Sequence, residues 1–183
     1  WDNSLHGPAL VPVAVLLDRL GEDASRLKDL LAGFVPLPHR LEPVGDYGGV
    51  AFTDDSKATS MAAMRAALLW ADRPVRLIAG GRLKERGLDS VADVLAEHVV
   101  EAYTIGESAE MMADAWSGAI PCRACFRLED AFTAAAKDAK PGEMVLLSPG
   151  AASFDQFSGF AERGQAFQTC VERWKSSRNV ESP

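Results

Sequence analysis

Cysteine is scarce in this chain. Three among 183 residues are too few, and odd in number, for a disulfide framework, and they favour a reducing cytoplasm. Cys122 and Cys125 form a C-x-x-C, but a tetrahedral zinc site needs four ligands and nothing near this pair supplies the rest. Two reduced thiols are the better reading. Long apolar runs are lacking too. None approaches the roughly 20 residues that span a bilayer, and no secretory leader is expected. Basic residues are in deficit, 19 Lys and Arg against 26 Asp and Glu, for a net charge of −7. That balance argues against nucleic acid or an anionic membrane surface as the main partner. No G-x-G-x-x-G follows a strand, no G-x-x-x-x-G-K-[ST] cradles phosphate, and no G-x-S-x-G elbow exposes a serine. The chain opens at Trp1 rather than Met, so its natural start is expected upstream.

What is present suits one domain plus a fragment of another. Apolar residues make up 48% and charged residues 25%, enough for a buried core. From Val50 onward, short apolar runs alternate with helical periods. Val50–Phe52, Val75–Ala79, Val99–Ile105, a short stretch near Cys125–Arg127, and Met144–Leu147 read as strands. Between them, Met61-Met64-Leu68, Leu88-Val91-Ala92-Leu95, Met111-Ala115 and Leu128-Ala131-Phe132-Ala135 repeat at helical spacing. Ser90 and Asp93 are placed like a capping box. Phe160, Gly164, Phe167, Val171 and Trp174 mark a long terminal helix. This alternation predicts an α/β fold, an open, mostly parallel Rossmann-like sheet with helices on both faces. Residues 1–35 differ: Val13-Leu16-Leu17-Leu20 and Leu27-Leu30-Leu31-Phe34 predict two helices without a strand. They read as the helical tail of a domain whose body is absent, followed by a proline-stiffened linker at 36–44 and a main domain at 45–183.

The polar stretch Thr53-Asp54-Asp55-Ser56-Lys57-Ala58-Thr59-Ser60 follows the first strand. Gly80-Gly81-Arg82-Leu83-Lys84 follows the second, and Ser148-Pro149-Gly150-Ala151-Ala152-Ser153 the last. Ligands of open parallel sheets bind beyond the carboxyl ends of the strands, so all three are expected on one edge. Each has a plainer use: Asp55, Ser56 or Ser153 as helix caps, Gly80-Gly81 as a turn, Lys84 as a solvated charge. Together they suit a small acidic ligand, with Lys84 as cation and hydroxyls and helix N–H groups as donors. His6 and His98 read as ordinary surface or packing residues, while His39 stands beside Arg40 in the linker. Asp54-Asp55 imitates the acid pair of a phospho-receiver, but the strand at 75–79 ends in Gly80-Gly81 rather than a phosphorylatable aspartate.

Four motifs in order carry a resemblance. They are Leu37-Pro38-His39-Arg40-Leu41-Glu42, Asp55-Ser56-Lys57-Ala58-Thr59, Leu77-Ile78-Ala79-Gly80-Gly81 with Lys84, and Leu146-Leu147-Ser148-Pro149 running through Ala152-Ser153-Phe154-Asp155-Gln156-Phe157 to Phe160, Glu162, Arg163 and Gly164. Across residues 36 to about 175 the chain resembles the carboxyl-terminal domain of the D-glutamate-adding Mur ligases of peptidoglycan synthesis. The resemblance implies a Rossmann-like domain that closes over an upstream ATP-binding domain, with ATP and Mg2+ bound mainly there. It implies ATP-driven formation of an acyl phosphate on UDP-N-acetylmuramoyl-L-alanine, which the amine of D-glutamate then attacks. Thr59, Lys84, Ser153, the backbone at Phe154, and Phe160 are implied to hold D-glutamate. His39, Arg40 and Asp55 are implied at the nucleotide, and Lys57 with Lys84 at the reacting groups. No metal ligand of this chain is implied. His39 and Arg40 would then be hinge residues that change partners as the domain swings. The alternative is a non-catalytic binding or regulatory module derived from such a ligase, motivated by the prolines at Pro8 and Pro12, where the family carries nucleotide-facing asparagines.

Overall fold

The computed structural model describes residues 15–21, 37–84 and 87–180. The chain divides into two compact units, Trp1–Pro36 and Leu37–Pro183. In the first, residues 15–19 are helical, within the stretch where Val13, Leu16, Leu17 and Leu20 predict a helix. The second predicted helix, at 27–34, lies outside the described residues.

The second unit opens with an antiparallel hairpin, β1 (Glu42–Tyr47) and β2 (Val50–Asp54). Gly48 and Gly49, at φ 64° and 79°, form its two-residue turn, where both central residues need positive φ. Strand β1 is a correction, because the sheet was expected to begin at Val50. Its sequence EPVGDY carries a proline, a glycine and two acids, and an edge strand is where Pro43 is tolerated. Then follow α1 (Met61–Trp70), β3 (Val75–Gly80), α2 (Ala92–His98), β4 (Val99–Ile105), α3 (Ala109–Trp116), β5 (Cys122–Phe126), α4 (Leu128–Asp138), β6 (Met144–Leu147) and α5 (Phe160–Val180). The sheet order is β1-β2-β6-β3-β4-β5. Every pairing after the first is parallel.

The central strands β3 and β6 are buried at every position, as strands covered on both faces must be. Val75, Leu77 and Ala79, with Met144 and Leu146, face a layer holding Met64 and Leu68 of α1, Leu95 of α2, and Met112 and Trp116 of α3. Ile78, Val145 and Leu147 face the opposite layer, with Phe132 of α4 and Phe167 and Val171 of α5. Phe132 meets Phe167 edge to face, centroids 5.7 Å apart, a geometry worth about 0.5–1.5 kcal/mol beyond the area it buries. Cys122 belongs to the first layer and Cys125 to the second, because residues three apart on a strand point to opposite faces. The C-x-x-C therefore cannot converge on one ion without breaking β5.

The capping box expected at Ser90 and Asp93 does not form. A 3-10 turn, Leu88–Val91, precedes α2, and the N-cap Val91 makes no side-chain bond. Ser90 Oγ donates to Gly87 O at 2.7 Å, and Asp93 pairs with Arg65 at 2.6 Å. The extra turn carries the helix start past Ser90 and frees Asp93 for its cross-helix partner.

Candidate functional site

Strands β2, β6 and β3 are neighbours and parallel, so the segments leaving them share one edge of the sheet. Backbone bonds stitch the three loops together. Gly150 N–H donates to Ala58 O at 2.9 Å, and Gly80 N–H to Pro149 O at 2.9 Å. Arg82 and Ala152 form an antiparallel bridge, exchanging bonds of 2.8 and 3.0 Å. Gly81, at φ 129°, lies so close to Ala152 O that a Cβ would collide with it. Thus the clusters at 54–60, 80–84 and 148–153 form a single surface.

The two aspartates at the end of β2 are both buried and do different work. Asp54, with no exposed surface, accepts the Ser56 N–H at 2.9 Å and Gln168 Nε2 at 2.9 Å, and its Oδ2 lies 2.7 Å from His39 Nδ1. Asp55, 7% exposed, accepts the Leu41 N–H at 3.2 Å and the Ser148 hydroxyl at 2.8 Å. Burial pushes the Asp55 carboxyl up to about 7, against the pull of the Ser148 bond, which favours the anion. Both acids thereby tie residues 39–41 to the strand ends. His39, at φ 61°, completes the tie by accepting the Lys57 N–H at 3.0 Å on its carbonyl.

Neither acid caps the next helix. The N-cap of α1 is Ser60, whose hydroxyl accepts the Ala63 N–H at 3.3 Å. Ser153 does not cap α5 either, since six residues separate it from Phe160; it is buried, and its carbonyl accepts the N–H groups of Gln156 and Phe157. Lys57 Nζ stands 4.0 Å from the centre of the Phe160 ring, and His39 meets the same ring edge-on at 6.2 Å. Thr59 is half-buried on the loop from β2, Lys84 is exposed beyond the Arg82 bridge, and Arg40 is exposed beside His39. The Phe154 side chain is 61% exposed, while its backbone follows Ser153 on the shared edge.

One group of possible metal ligands stands out among the described residues: His39, Glu42 and Asp54, with ligand atoms within 4.8 Å of one another. Its acceptors are already supplied with protons. Gln168 Nε2 reaches both carboxylates, and the His39 N–H donates to Glu42 Oε2 at 2.7 Å. The group is a hydrogen-bonded knot at the root of the linker, and no metal is assigned to it.

A family model described as "Mur ligase, glutamate ligase domain" matches residues 39–151. The chain belongs to the Mur ligase family. A UDP-N-acetylmuramoylalanine–D-glutamate ligase of Nitratidesulfovibrio vulgaris is 42% identical over 142 residues, covering 78% of this chain and 33% of that protein. The enzyme of the same name from Novosphingobium aromaticivorans is 39% identical over 184 residues, covering 98% of this chain and 41% of its own length. The chain thus spans between a third and about two fifths of these relatives. A solved UDP-N-acetylmuramate–alanine ligase from Thermotoga maritima matches with TM-score 0.64 at 17% identity, covering 90% of this chain and 36% of that one. At that identity the likeness speaks for the fold alone.

Three residues of this Mur ligase domain carry the site yet stood outside the expected set. From the sequence, Asp54 enters only within the polar stretch and as half of an acid pair with Asp55, Arg163 only within a motif, and Gln168 not at all. In the structure Arg163 is 1% exposed and bonds only to groups of the three loops. A signal existed: Arg163 and Gln168 lie on the stripe of α5 between Phe160 and Val171, where the helical period places buried residues. Asp155 was named within its motif without a role. Its Oδ2 accepts the Glu107 N–H at 2.9 Å, and its Oδ1 is buried without a hydrogen-bond partner.

Proposed function

We propose that this chain is the substrate-closing carboxyl-terminal domain of a cytoplasmic, ATP-dependent ligase that adds D-glutamate to UDP-N-acetylmuramoyl-L-alanine during peptidoglycan precursor synthesis. One observation carries the reading: three strand-end loops bearing Thr59, Lys84 and Ser153 meet on one edge, stitched by the Arg82–Ala152 bridge, in a chain whose curated relatives carry that ligase name. Among the described residues no helix is long and apolar enough to cross a membrane.

In the proposed reaction the alanyl carboxylate is phosphorylated at the expense of ATP, giving an acyl phosphate and ADP. The D-glutamate amine attacks the carbonyl carbon. A C–N bond forms, the C–O bond to phosphate breaks, and the amine gives up a proton as phosphate leaves. Lys84 would pair with a D-glutamate carboxylate, as an ammonium does with a small dianion. Thr59, Ser153 and the backbone at Phe154 would supply hydrogen bonds, and the Phe160 ring a wall. Lys57, held over that ring, would stand near the transferring phosphoryl group. His39, Arg40 and Asp55 would meet the nucleotide from the linker side, with Mg2+ bound mainly by upstream domains. An acyl phosphate is already reactive, so the task is placement and exclusion of water; ideal placement of two reactants can supply up to roughly 7–11 kcal/mol of barrier.

The test is phosphate release by the polypeptide extended to its natural start, with ATP, Mg2+ and UDP-N-acetylmuramoyl-L-alanine. D-glutamate would be present, absent, or replaced by the L isomer. Release that needs the D isomer, with the D-glutamate KM raised at least tenfold in Lys84→Ala, supports the reading. A folded protein that binds these ligands without turnover would point to the non-catalytic module instead.

A further inference from the structure

The Arg163 guanidinium is the one buried cation at the carboxyl edge of the sheet among the described residues. It lies in the first turn of α5 and is 1% exposed. Its Nε donates to Ser56 Oγ at 3.0 Å, and its Nη2 to Ser56 O at 2.9 Å and Ala151 O at 3.1 Å; Nη1 reaches Gly80 O at 3.3 Å. None of these partners is a carboxylate. Burial without a paired anion pushes its pKa down to about 10, with Asp155 and Asp54 opposing from nearby, so the group stays charged near neutral pH.

A buried arginine ordinarily answers an acid, and a buried unpaired cation is costly. This one answers backbone carbonyls where the parallel strands run out. Each bonded residue stands just ahead of a proposed site residue in the chain: Ser56 before Lys57 and Thr59, Gly80 before Lys84, Ala151 before Ser153. The fourth segment is bound as well, because Ser56 Oγ donates to Phe160 O at 2.8 Å. The planar fork suits the task, since it directs donors to several acceptors at fixed angles, as a lysine ammonium cannot. Gly81 leaves the room: a Cβ there would stand 3.2 Å from Arg163 Nη1.

We propose that Arg163 is the positioning residue of the amino-acid pocket, its guanidinium setting the relative placement of the three strand-end loops and of Phe160. The role of the pocket rests on the ligase reading above; the placement of the loops does not. Residues 39–41 and Asp55 touch the Arg163-bound loop through His39 O and Asp54 but have further anchors of their own, in the His39–Asp54 pair, Ser148 and the backbone of Leu147. Loss of the fork should therefore act on the amino acid more than on the nucleotide.

The experiment compares wild type with Arg163→Lys, which keeps the charge and loses the fork, on the natural full-length chain. Steady-state kinetics would be read with hydrogen exchange. The expected result is a D-glutamate KM raised about 10- to 100-fold with the ATP KM changed less than about threefold. Exchange at the amides of Arg82, Ala152 and Gly150 should speed at least tenfold, with β3 and β4 interior amides unchanged. A merely structural role would instead lower active enzyme in proportion to the folded fraction, leave both KM values alone and speed exchange throughout; that outcome overturns the proposal, as does no change in either readout. If wild-type turnover does not require D-glutamate, the ligase reading fails and exchange alone decides the positioning claim. If Arg163→Lys does not fold, Ser56→Ala removes the acceptor of Nε and the tie to Phe160. It should give the same pattern, about 3- to 10-fold; unaltered KM and exchange there would overturn the proposal equally.

Discussion

Replacing Asp55 with asparagine should abolish a pH dependence of stability that the native chain carries. Unfolded, the carboxyl ionises near its ordinary 3.8; folded, near 7, because burial disfavours the anion more than Ser148 and Leu41 favour it. Between these values the native chain holds a proton that the unfolded chain has lost, so stability falls as pH rises. The contribution is complete below the unfolded value and gone once pH passes the folded one. At about 1.36 kcal/mol per pKa unit, the loss between about pH 5 and about pH 8 is about 2.5 kcal/mol. Asparagine keeps the shape and accepts the Leu41 N–H, and its amide can donate to the Ser148 oxygen. Urea unfolding of both proteins across that range gives the difference, since titrating groups remote from Asp55 cancel. Parallel profiles would refute a desolvated, largely neutral Asp55. A wild type that gains on the variant as pH rises would show that hydrogen bonding to the anion outweighs burial.

Gly164→Ala should lose about 1–3 kcal/mol in urea unfolding, because the added methyl would overlap His39 Nδ1 and Asp54 Oδ2. Alanine's better helix propensity, worth ~1 kcal/mol, does not offset a clash against a buried polar knot; a raised midpoint would contradict that packing. Ser60→Ala should cost about 1 kcal/mol as the α1 cap is lost, and a thermal or urea shift near zero would mean that the cap is not Ser60. Cys122 and Cys125 should form no mutual disulfide under mild oxidant by mass spectrometry, and should alkylate slowly near neutral pH, burial having pushed the Cys122 thiol up to about 11. One zinc per chain, lost in a double serine variant, would overturn their assignment to opposite faces.

Much of this architecture is legible because it is local. Met144–Leu147 announces a doubly covered strand by being apolar throughout, Val75–Ala79 by being apolar at every position but Arg76, and the 3.6-residue stripe from Phe160 to Trp174 announces α5. The rule that ligands gather beyond the carboxyl ends of parallel strands then brings three distant clusters to one edge before any strand order is known. Strand β1 escaped notice because an edge strand is half-solvated and tolerates Pro43 and Gly45. The Ser90-Asp93 box misled because Asp93 found a stronger partner in Arg65 across the helix pair.

The sequence by itself determined the alternating layers, the edge that carries the loops and the identity of the groups in them, since each is written in residues a few positions apart. The tertiary structure decided which groups meet. Insertion of β6 between β2 and β3 sets Ser148 against Asp55. Asp54 is joined to Gln168 across 114 positions, and Arg163 to Ser56 across 107. Such partners depend on strand order and helix register. Periodicity shows which face of α5 is buried; it does not say which carbonyls a buried arginine will find there.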